Sequence, residues 1–217
     1  MIIDCHTHTF ISDGELLASE LIRRCEYNGY NVLAITDHAD AGNIPHILSQ
    51  IIPAIETASK HLDMIILPGV EITHVHPAGI ADCVKQARDH GAKVVVVHGQ
   101  TPVECVMDGT NEAAIKAGCD ILAHPGRIHA DLAKMAADNN VMLEISFRRG
   151  SSLSNGYIFN TAKSAGAKII VNSDAHSPSD IFTEELYQET ALGAGMTISD
   201  FKEMTTRLFS WAKERSK

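Results

Sequence analysis

Histidine, aspartate or glutamate lies at or soon after the end of each of seven short apolar stretches in this 217-residue chain. In two pairs, His6 with His8 and Asp174 with His176, the members lie two residues apart and so share one side of an extended strand. Imidazole and carboxylate groups suit Zn²⁺, Mn²⁺ or Fe²⁺. The set exceeds the needs of one ion, which predicts a centre of several divalent metals. Its members are His6, His8, Asp37, His38, Glu71, His98, His124, Glu144, Asp174 and His176.

An ordinary surface role is the alternative for any single member of this set, because isolated exposed histidines are common. For the whole set that alternative is weak, since burying many unpaired ionisable groups without cations is strongly destabilising. For the other histidines we expect surface or capping roles, with two of them in a loop that overhangs the site. These are His46, His61, His74, His76, His90 and His129, of which His74 and His76 are the loop pair.

The elements that must position these side chains are short strands rich in Val, Ile and Leu. Continuous apolar runs of this kind are typical of parallel strands buried on both faces. Because the C-terminal ends of parallel barrel strands converge on one face, the polar residues that follow them would meet there. The predicted strands are Ile2–Ile3, Val32–Ile35, Met64–Leu67, Val94–Val97, Asp120–Ala123, Val141–Ile145 and Lys168–Val171.

Most intervals between the strands have helical spacing, and Pro53 predicts a broken or two-piece helix between Ile44 and Leu62. Alternation of strand and helix is typical of a parallel α/β fold. We expect one seven-unit α/β barrel over residues 1–217, with the last two helices closing it and covering its end. The other predicted helices are Glu15–Asn28, Ile80–His90, Asp131–Asn139, Tyr157–Ala165, Glu184–Ala194 and Ser199–Lys213.

The charge and cysteine content limit the function classes. Acidic residues outnumber basic ones by 27 to 18, for a net charge of -9, which disfavours a nucleic-acid or anionic-membrane surface. An anionic substrate stays possible, because bound divalent ions would reverse the local field. The 5 cysteines include no C-x-x-C pair, which argues against disulfides and thiolate zinc. With no leader or membrane span in the pattern, we expect a cytoplasmic protein.

Six separated motifs resemble those of the PHP superfamily, named for polymerase and histidinol phosphatase domains. They are HTHTFISDG from His6, TDH from Thr36, PGVE from Pro68, VHG from Val97, AHPG from Ala123 and SDAH from Ser173. The resemblance covers nearly the whole chain. It implies a distorted (β/α)7 barrel whose strand ends hold a trinuclear metal centre.

Position by position, the resemblance implies three ligand sets and three catalytic residues, Glu71, Asp174 and His176. Some members of the superfamily have histidine where this chain has Asp13. Asp37 and Glu144 match no ligand in the scheme, and we interpret both as buried acceptors that support metal-binding side chains. The implied sets are His6, His8, Glu71 and Asp174 for one ion, Glu71, His98 and His124 for a second, and Asp13, His38 and His176 for a third.

The chemistry implied by such a centre is phosphoester hydrolysis, because hydroxide shared by two ions can attack phosphorus. We expect a metal-dependent phosphatase with three Zn, Mn or Fe ions and a small phosphomonoester substrate, similar to the histidinol-phosphate phosphatases. Arg127 and Arg148, which follow strand ends, are the predicted phosphate-binding residues. A nucleotide or oligonucleotide phosphoesterase or exonuclease is the first alternative. The second is a non-catalytic RNA-binding protein like the barrel subunit of RNase P.

Overall fold

A computed structural model describes residues 1–217 and contains a parallel β-barrel surrounded by helices. Every residue of β5 (Val94–His98) and β6 (Ile121–Ala123) is buried, which is the reason for their continuous apolar sequence up to His98 at the end of β5. The strands are β1 Ile2–Asp4, β2 Tyr30–Ile35, β3 His38–Ala39, β4 Ile65–Ile72, β5 Val94–His98, β6 Ile121–Ala123, β7 Met142–Ser146 and β8 Ile169–Asn172.

The strands follow one another around the barrel in chain order, and all pairs are parallel. The two-residue β3 does not add a position to the barrel. It pairs with Glu71 and Ile72 of β4, beyond the segment Ile65–Pro68 that pairs with β2, so β2 and β3 share one edge of β4. The expected (β/α)7 barrel is therefore confirmed, and all seven predicted strands overlap observed ones.

One seam interrupts the barrel, between β1 and β8. Regular strand pairing is absent along it, and the two segments form a single isolated bridge, between Thr7 and Ala175. Side chains take over the missing backbone hydrogen bonds. Asn172 Oδ1 accepts from the Cys5 amide at 2.9 Å, and Asp4 Oδ1 accepts from the Ser173 amide at 3.2 Å. The polar residues at the seam thus hold the first and last strands together.

Eight helices surround the barrel, and two differ from expectation. Residues 44–58 form one continuous helix despite Pro53, so the broken helix predicted there is wrong; the buried face that includes Ile51 and Ile55 outweighs a proline cost of about 3 kcal/mol. The fourth helix was not predicted. The helices are α1 Ala18–Tyr27, α2 Ile44–Ala58, α3 Ile80–Asp89, α4 Thr110–Ala117, α5 Ala130–Asp138, α6 Asn155–Ala165, α7 Glu184–Gly193 and α8 Ile198–Arg215.

Helix α8 crosses the N-terminal end of the barrel. Arg207 Nη2 donates to the carbonyl of Ile169, the first residue of β8, at 2.5 Å, and Arg215 Nη1 donates to the Lys93 carbonyl just before β5 at 3.0 Å. The opposite, C-terminal end is left free for the polar residues that follow the strands. None of the helices combines the length and apolar character needed to span a membrane.

Candidate metal centre

The C-terminal ends of the strands surround a cavity of about 440 Å³ with no hydrophobic residue in its wall. His6, His8 and Glu71 lie deeper and are fully buried. The wall therefore joins residues from loops that are far apart in sequence. It is formed by Asp13, His38, Thr73, His74, His98, Glu104, His124, Arg148, Asp174 and His176.

The potential ligand atoms form overlapping groups in which all atoms lie within 4.8 Å of one another. The structure brings together all nine residues of the three implied ligand sets. The set implied for the second ion forms one group, and the set implied for the third forms a group that also contains His8. The four residues implied for the first ion are divided between two groups that share His6. The groups are Glu71–His98–His124, His8–Asp13–His38–His176, His6–His8–Glu71 and His6–His124–Asp174.

Several buried atoms of this cluster have no hydrogen-bond partner. They are Nε2 of His6, both ring nitrogens of His8, Oε1 of Glu71 and Nδ1 of His124. Buried polar atoms are almost always paired, so a concentration of unpaired donors and acceptors in one place requires an explanation. Nitrogen and carboxylate-oxygen atoms are ligands of borderline divalent metals, and their arrangement fits such ions.

Three of the imidazole rings, those of His6, His98 and His176, are oriented by hydrogen bonds at Nδ1. That atom lies 2.8 Å from Glu144 Oε1 in His6, 2.9 Å from the Asp174 carbonyl in His176 and 3.2 Å from the Gly99 carbonyl in His98. A neutral imidazole that donates through Nδ1 keeps a lone pair on Nε2. Each ring therefore presents Nε2 to the cluster, as metal-binding histidines commonly do.

Glu144 and Asp37 support the cluster in different ways. The Glu144 carboxylate accepts hydrogen bonds from Asn172 Nδ2 at 2.7 Å and the His124 amide at 2.9 Å, in addition to its contact with His6. The Asp37 carboxylate makes no hydrogen bond to a histidine; it accepts from the amide and hydroxyl of Thr9, both at 2.8 Å, and from the Ser12 hydroxyl at 2.6 Å. Asp37 thus fixes the loop that carries Asp13.

The electrostatic balance of the cluster differs from residue to residue. Burial raises the pKa of Asp174 to about 7, while burial and the nearby His98 lower the pKa of His124 to about 4. Burial opposes the charged form of His6, but the Glu144 and Glu71 carboxylates outweigh it and raise the pKa of this ring. The metal-free cluster therefore retains protons that a divalent ion would have to displace.

Backbone strain is concentrated at the same place. Only four non-glycine residues have a positive φ, and three of them line the cavity: His74 at 53°, His124 at 25° and Asp174 at 55°. Such conformations cost about 1–3 kcal/mol each and persist where the surrounding structure enforces them. Close packing also requires Gly99 in the VHG motif, since a Cβ there would lie 2.1 Å from the Ala123 carbonyl oxygen.

The two predicted arginines occupy different environments. Arg148 lines the cavity, with Nε 3.8 Å from Asp174 Oδ2. Arg127 lies outside the cavity wall, with its guanidinium carbon 5.7 Å from the centre of the Tyr157 ring. Their roles in phosphate binding stay predictions.

Three residues of the cavity wall, Thr73, His74 and Glu104, were not assigned to the site from the sequence. His74 was expected on the surface or in an overhanging loop, and it lies with its ring centre 4.9 Å from that of His98. Glu104 was not considered, and its Oε2 lies 3.1 Å from His98 Nε2. The hydrogen bond from His98 lowers the pKa of Glu104 to about 2, with His98's charge adding to the effect. The one sequence feature that could have assigned His74 to the site was its closeness to Glu71 in the chain.

Comparison with known proteins agrees with this architecture. The family model of the PHP domain matches residues 4–184. An uncharacterized protein of Methanocaldococcus jannaschii is 42% identical over 216 residues, 99% of this chain and 98% of the relative. A probable phosphatase of Shewanella pealeana is 30% identical over 198 residues, 81% of this chain and 77% of the relative.

Solved structures share the barrel. A histidinol phosphate phosphatase from Lactococcus lactis, complexed with zinc, L-histidinol and phosphate, has a TM-score of 0.63 at 17% sequence identity. The likeness covers 90% of this chain and 94% of that chain. At this level of identity it establishes the common fold.

Proposed function

The chain belongs to the PHP domain family, and on that premise we propose that it is a metal-dependent phosphatase acting on a small phosphomonoester. One observation carries the proposal: buried ligand atoms without partners converge beneath a wholly polar cavity that has an arginine in its wall. The similarity to a probable phosphatase supports the same reaction class.

The ions would be held by the three overlapping ligand sets, with Glu71 shared between two of them. When bound, they would polarise the phosphoryl oxygens and lower the pKa of water toward neutrality, which supplies a nucleophile. Glu71 and Asp174 are the catalytic carboxylates of this scheme. The sets are His6, His8, Glu71 and Asp174, then Glu71, His98 and His124, and finally Asp13, His38 and His176.

Arg148 is the residue we assign to the phosphoryl group. Its side chain is 38% exposed in the cavity wall, and its only carboxylate contact is the 3.8 Å approach to Asp174. That leaves guanidinium N–H groups free to donate to an anion. A planar guanidinium pairs with two phosphate oxygens at once, so it would orient the phosphoryl group and offset its charge.

The leaving oxygen would depart near Asp13 and His176. His176 Nε2 lies 3.2 Å from Asp13 Oδ1, and the Asp13 side chain is 55% exposed at the rim of the cavity. Positive charge at this pair, either the third ion or a shared proton, would neutralise the oxygen as the bond to phosphorus breaks. This position gives His176 its proposed catalytic role.

The size and charge of the molecule favour a small substrate. A cavity of about 440 Å³ has the dimensions of a small-molecule site. The net charge of -9 would repel the extended phosphate backbone of a nucleic acid. A substrate with a single phosphate group carries less negative charge than a nucleic acid, so the protein repels it less. The bound ions would offset that repulsion at the site.

The test is a hydrolysis screen of protein that has been freed of metal and then supplied with Mn²⁺, Zn²⁺ or Fe²⁺ in turn. The panel pairs each phosphomonoester, including histidinol phosphate, with a phosphodiester and a nucleotide. We expect metal-dependent release of inorganic phosphate from a small monoester. Faster cleavage of diesters or oligonucleotides would favour the alternative enzyme class, and no hydrolysis with any metal would contradict the proposal. Metal-free protein is the control.

A further inference from the structure

The loop that connects β5 to α4, residues 99–109, brings a carboxylate to the outer side of the candidate metal centre. Glu104 Oε2 lies 3.1 Å from Nε2 of His98 and 3.4 Å from Nε2 of His74. The ligand atoms of these three residues all lie within 4.8 Å of one another. They form a group of the kind that could hold a metal, and it lies beside the three implied ligand sets.

This outer group is connected to the inner centre through His98. Nε2 of His98 belongs both to the outer group and to the inner group with Glu71 and His124. Nδ1 of the same ring lies 3.2 Å from the Gly99 carbonyl, so this nitrogen carries the proton in the neutral ring. An ion held by His98 through Nε2 would therefore have the Glu104 carboxylate on its outer side.

In the metal-free protein a proton on Nε2 of His98 accounts for this contact, because the ring donates a hydrogen bond to Glu104. A divalent ion bound at Nε2 takes the place of that proton. Without either, the lone pairs of Nε2 and of the carboxylate oxygen would repel each other at 3.1 Å. The positive φ of His74, at 53°, brings its Nε2 to within 3.4 Å of the same carboxylate oxygen at a cost in backbone strain.

We propose that Glu104 is a further ligand of the ion bound by His98, a role that rests on the metal centre proposed above. Three side chains, those of Glu71, His98 and His124, bind this ion from the inner side. The Glu104 carboxylate closes the outer side and adds a negative charge, which raises the affinity for a divalent cation. The loop between β5 and α4 is therefore part of the metal centre.

The experiment measures metal binding directly, so it does not depend on finding the substrate. Metal-free parent, Glu104→Gln and Glu104→Ala proteins are titrated with Mn²⁺ and Zn²⁺ by calorimetry, and the affinity of each ion is determined. The matched control is Asp108→Asn, which removes one negative charge from the same loop; Asp108 contacts Gln100 Nε2 at 3.3 Å and belongs to no ligand group.

We expect both Glu104 variants to bind one ion about 10- to 100-fold more weakly than the parent, or to lose it, with the remaining ions unchanged. Asp108→Asn should match the parent. Equal affinities in the parent and both Glu104 variants would overturn this role and leave the metal centre intact. Equal weakening in Asp108→Asn would also overturn it, because the effect would then be one of net charge. A parent protein that binds no ion would overturn the proposed function as well.

Discussion

Both ends of the barrel bury ionisable side chains, but at the N-terminal end guanidinium groups of the protein itself pair with the buried carboxylate, although Nη1 of Arg88 has no hydrogen-bond partner. There Asp120 accepts hydrogen bonds from Arg88, from Arg215 Nη2 at 2.5 Å and from the Val95 amide at 2.7 Å. At the C-terminal end, carboxylates and imidazoles face each other with one arginine, Arg148, and no lysine in the cavity wall, and five of their buried atoms have no partner.

The two ends of the barrel hold two kinds of buried charge. At the N-terminal end the buried charge stabilises the fold, and at the C-terminal end it forms the candidate binding site. The Asp120 cluster connects α3, α8 and the start of β5, so its guanidinium groups act as resident cations. The cluster at the other end has one guanidinium, that of Arg148, which approaches Asp174 only to 3.8 Å. Its carboxylates and imidazoles are grouped so that they could take divalent cations from solution. Removing a partner should therefore reduce stability at the N-terminal end and metal binding at the C-terminal end.

The largest effect is expected for Glu71→Ala, which removes the carboxylate shared by two ligand sets. Loss of this group would separate or release ions, so the turnover should fall by at least about 1000-fold, equivalent to about 4 kcal/mol. The measurement is phosphate release together with metal content by elemental analysis. Glu112→Ala, at an exposed ion pair with Lys116, is the matched control. Near-normal turnover of Glu71→Ala would contradict the shared-carboxylate assignment.

At the opposite end, Asp120→Ala should lower the free energy of unfolding by about 2–4 kcal/mol, because two guanidinium groups lose their buried acceptor. Metal content should stay equal to that of the parent. Chelation should destabilise parent and variant by the same amount, since the two ends are independent and ions stabilise only the folded chain. Denaturant unfolding with and without chelator measures both effects. A variant that lost metal along with stability would show that the ends are coupled.

A smaller loss of activity without loss of metal is expected for Arg148→Ala. We expect kcat/KM to fall about 100-fold, within a range of about 10- to 1000-fold, which corresponds to about 1.4–4 kcal/mol. Arg127→Ala should have a comparable effect only if the leaving group extends beyond the cavity to Tyr157. Arg24→Ala, on the exposed face of α1, is the control. If Arg148→Ala hydrolyses the best monoester as fast as the parent, phosphate binding rests on the ions alone.

The strand ends were predictable because strands buried on both faces leave a continuous apolar signal. Val94–Val97 followed by His98 is an example, and the same rule found Glu71, His124 and Asp174. Parallel pairing then guarantees that such residues meet at one end, whatever their separation in the chain. The sequence pattern therefore predicted both the barrel and most residues of the candidate centre.

Residues positioned by loops left no such signal. Glu104 reaches His98 through a loop whose path depends on tertiary contacts, among them Thr101 Oγ1 at 3.2 Å from Ser151 Oγ. Helix α4 was missed because its sequence, TNEAAIKA, has little apolar periodicity. No local rule connects these positions to the strand ends, so only the folded chain reveals them.

The smallest effect that distinguishes the two ends is the pH dependence of metal binding. Burial raises the pKa of Asp174 from 3.8 to about 7, and the carboxylates around His6 raise the pKa of that ring above 6.5. Because both values are raised, both groups keep protons as the pH falls below about 7, and an ion must displace them. The apparent metal affinity should therefore fall about tenfold per pH unit for each displaced proton.

Calorimetric titration at pH 6 and pH 8, in buffers of different ionisation enthalpy, measures both the affinity and the number of protons released. More protons should be released at pH 6, because the raised pKa values leave more of the ligands protonated there. An ordinary exposed aspartate would already be ionised at both pH values and would release none. The Asp120→Ala variant should show the same dependence, since its charge cluster lies at the other end of the barrel. Equal affinity and equal proton release at the two pH values would contradict the protonated state assigned to Asp174 and His6. It would also contradict the argument that protons take the place of metal cations at the C-terminal end.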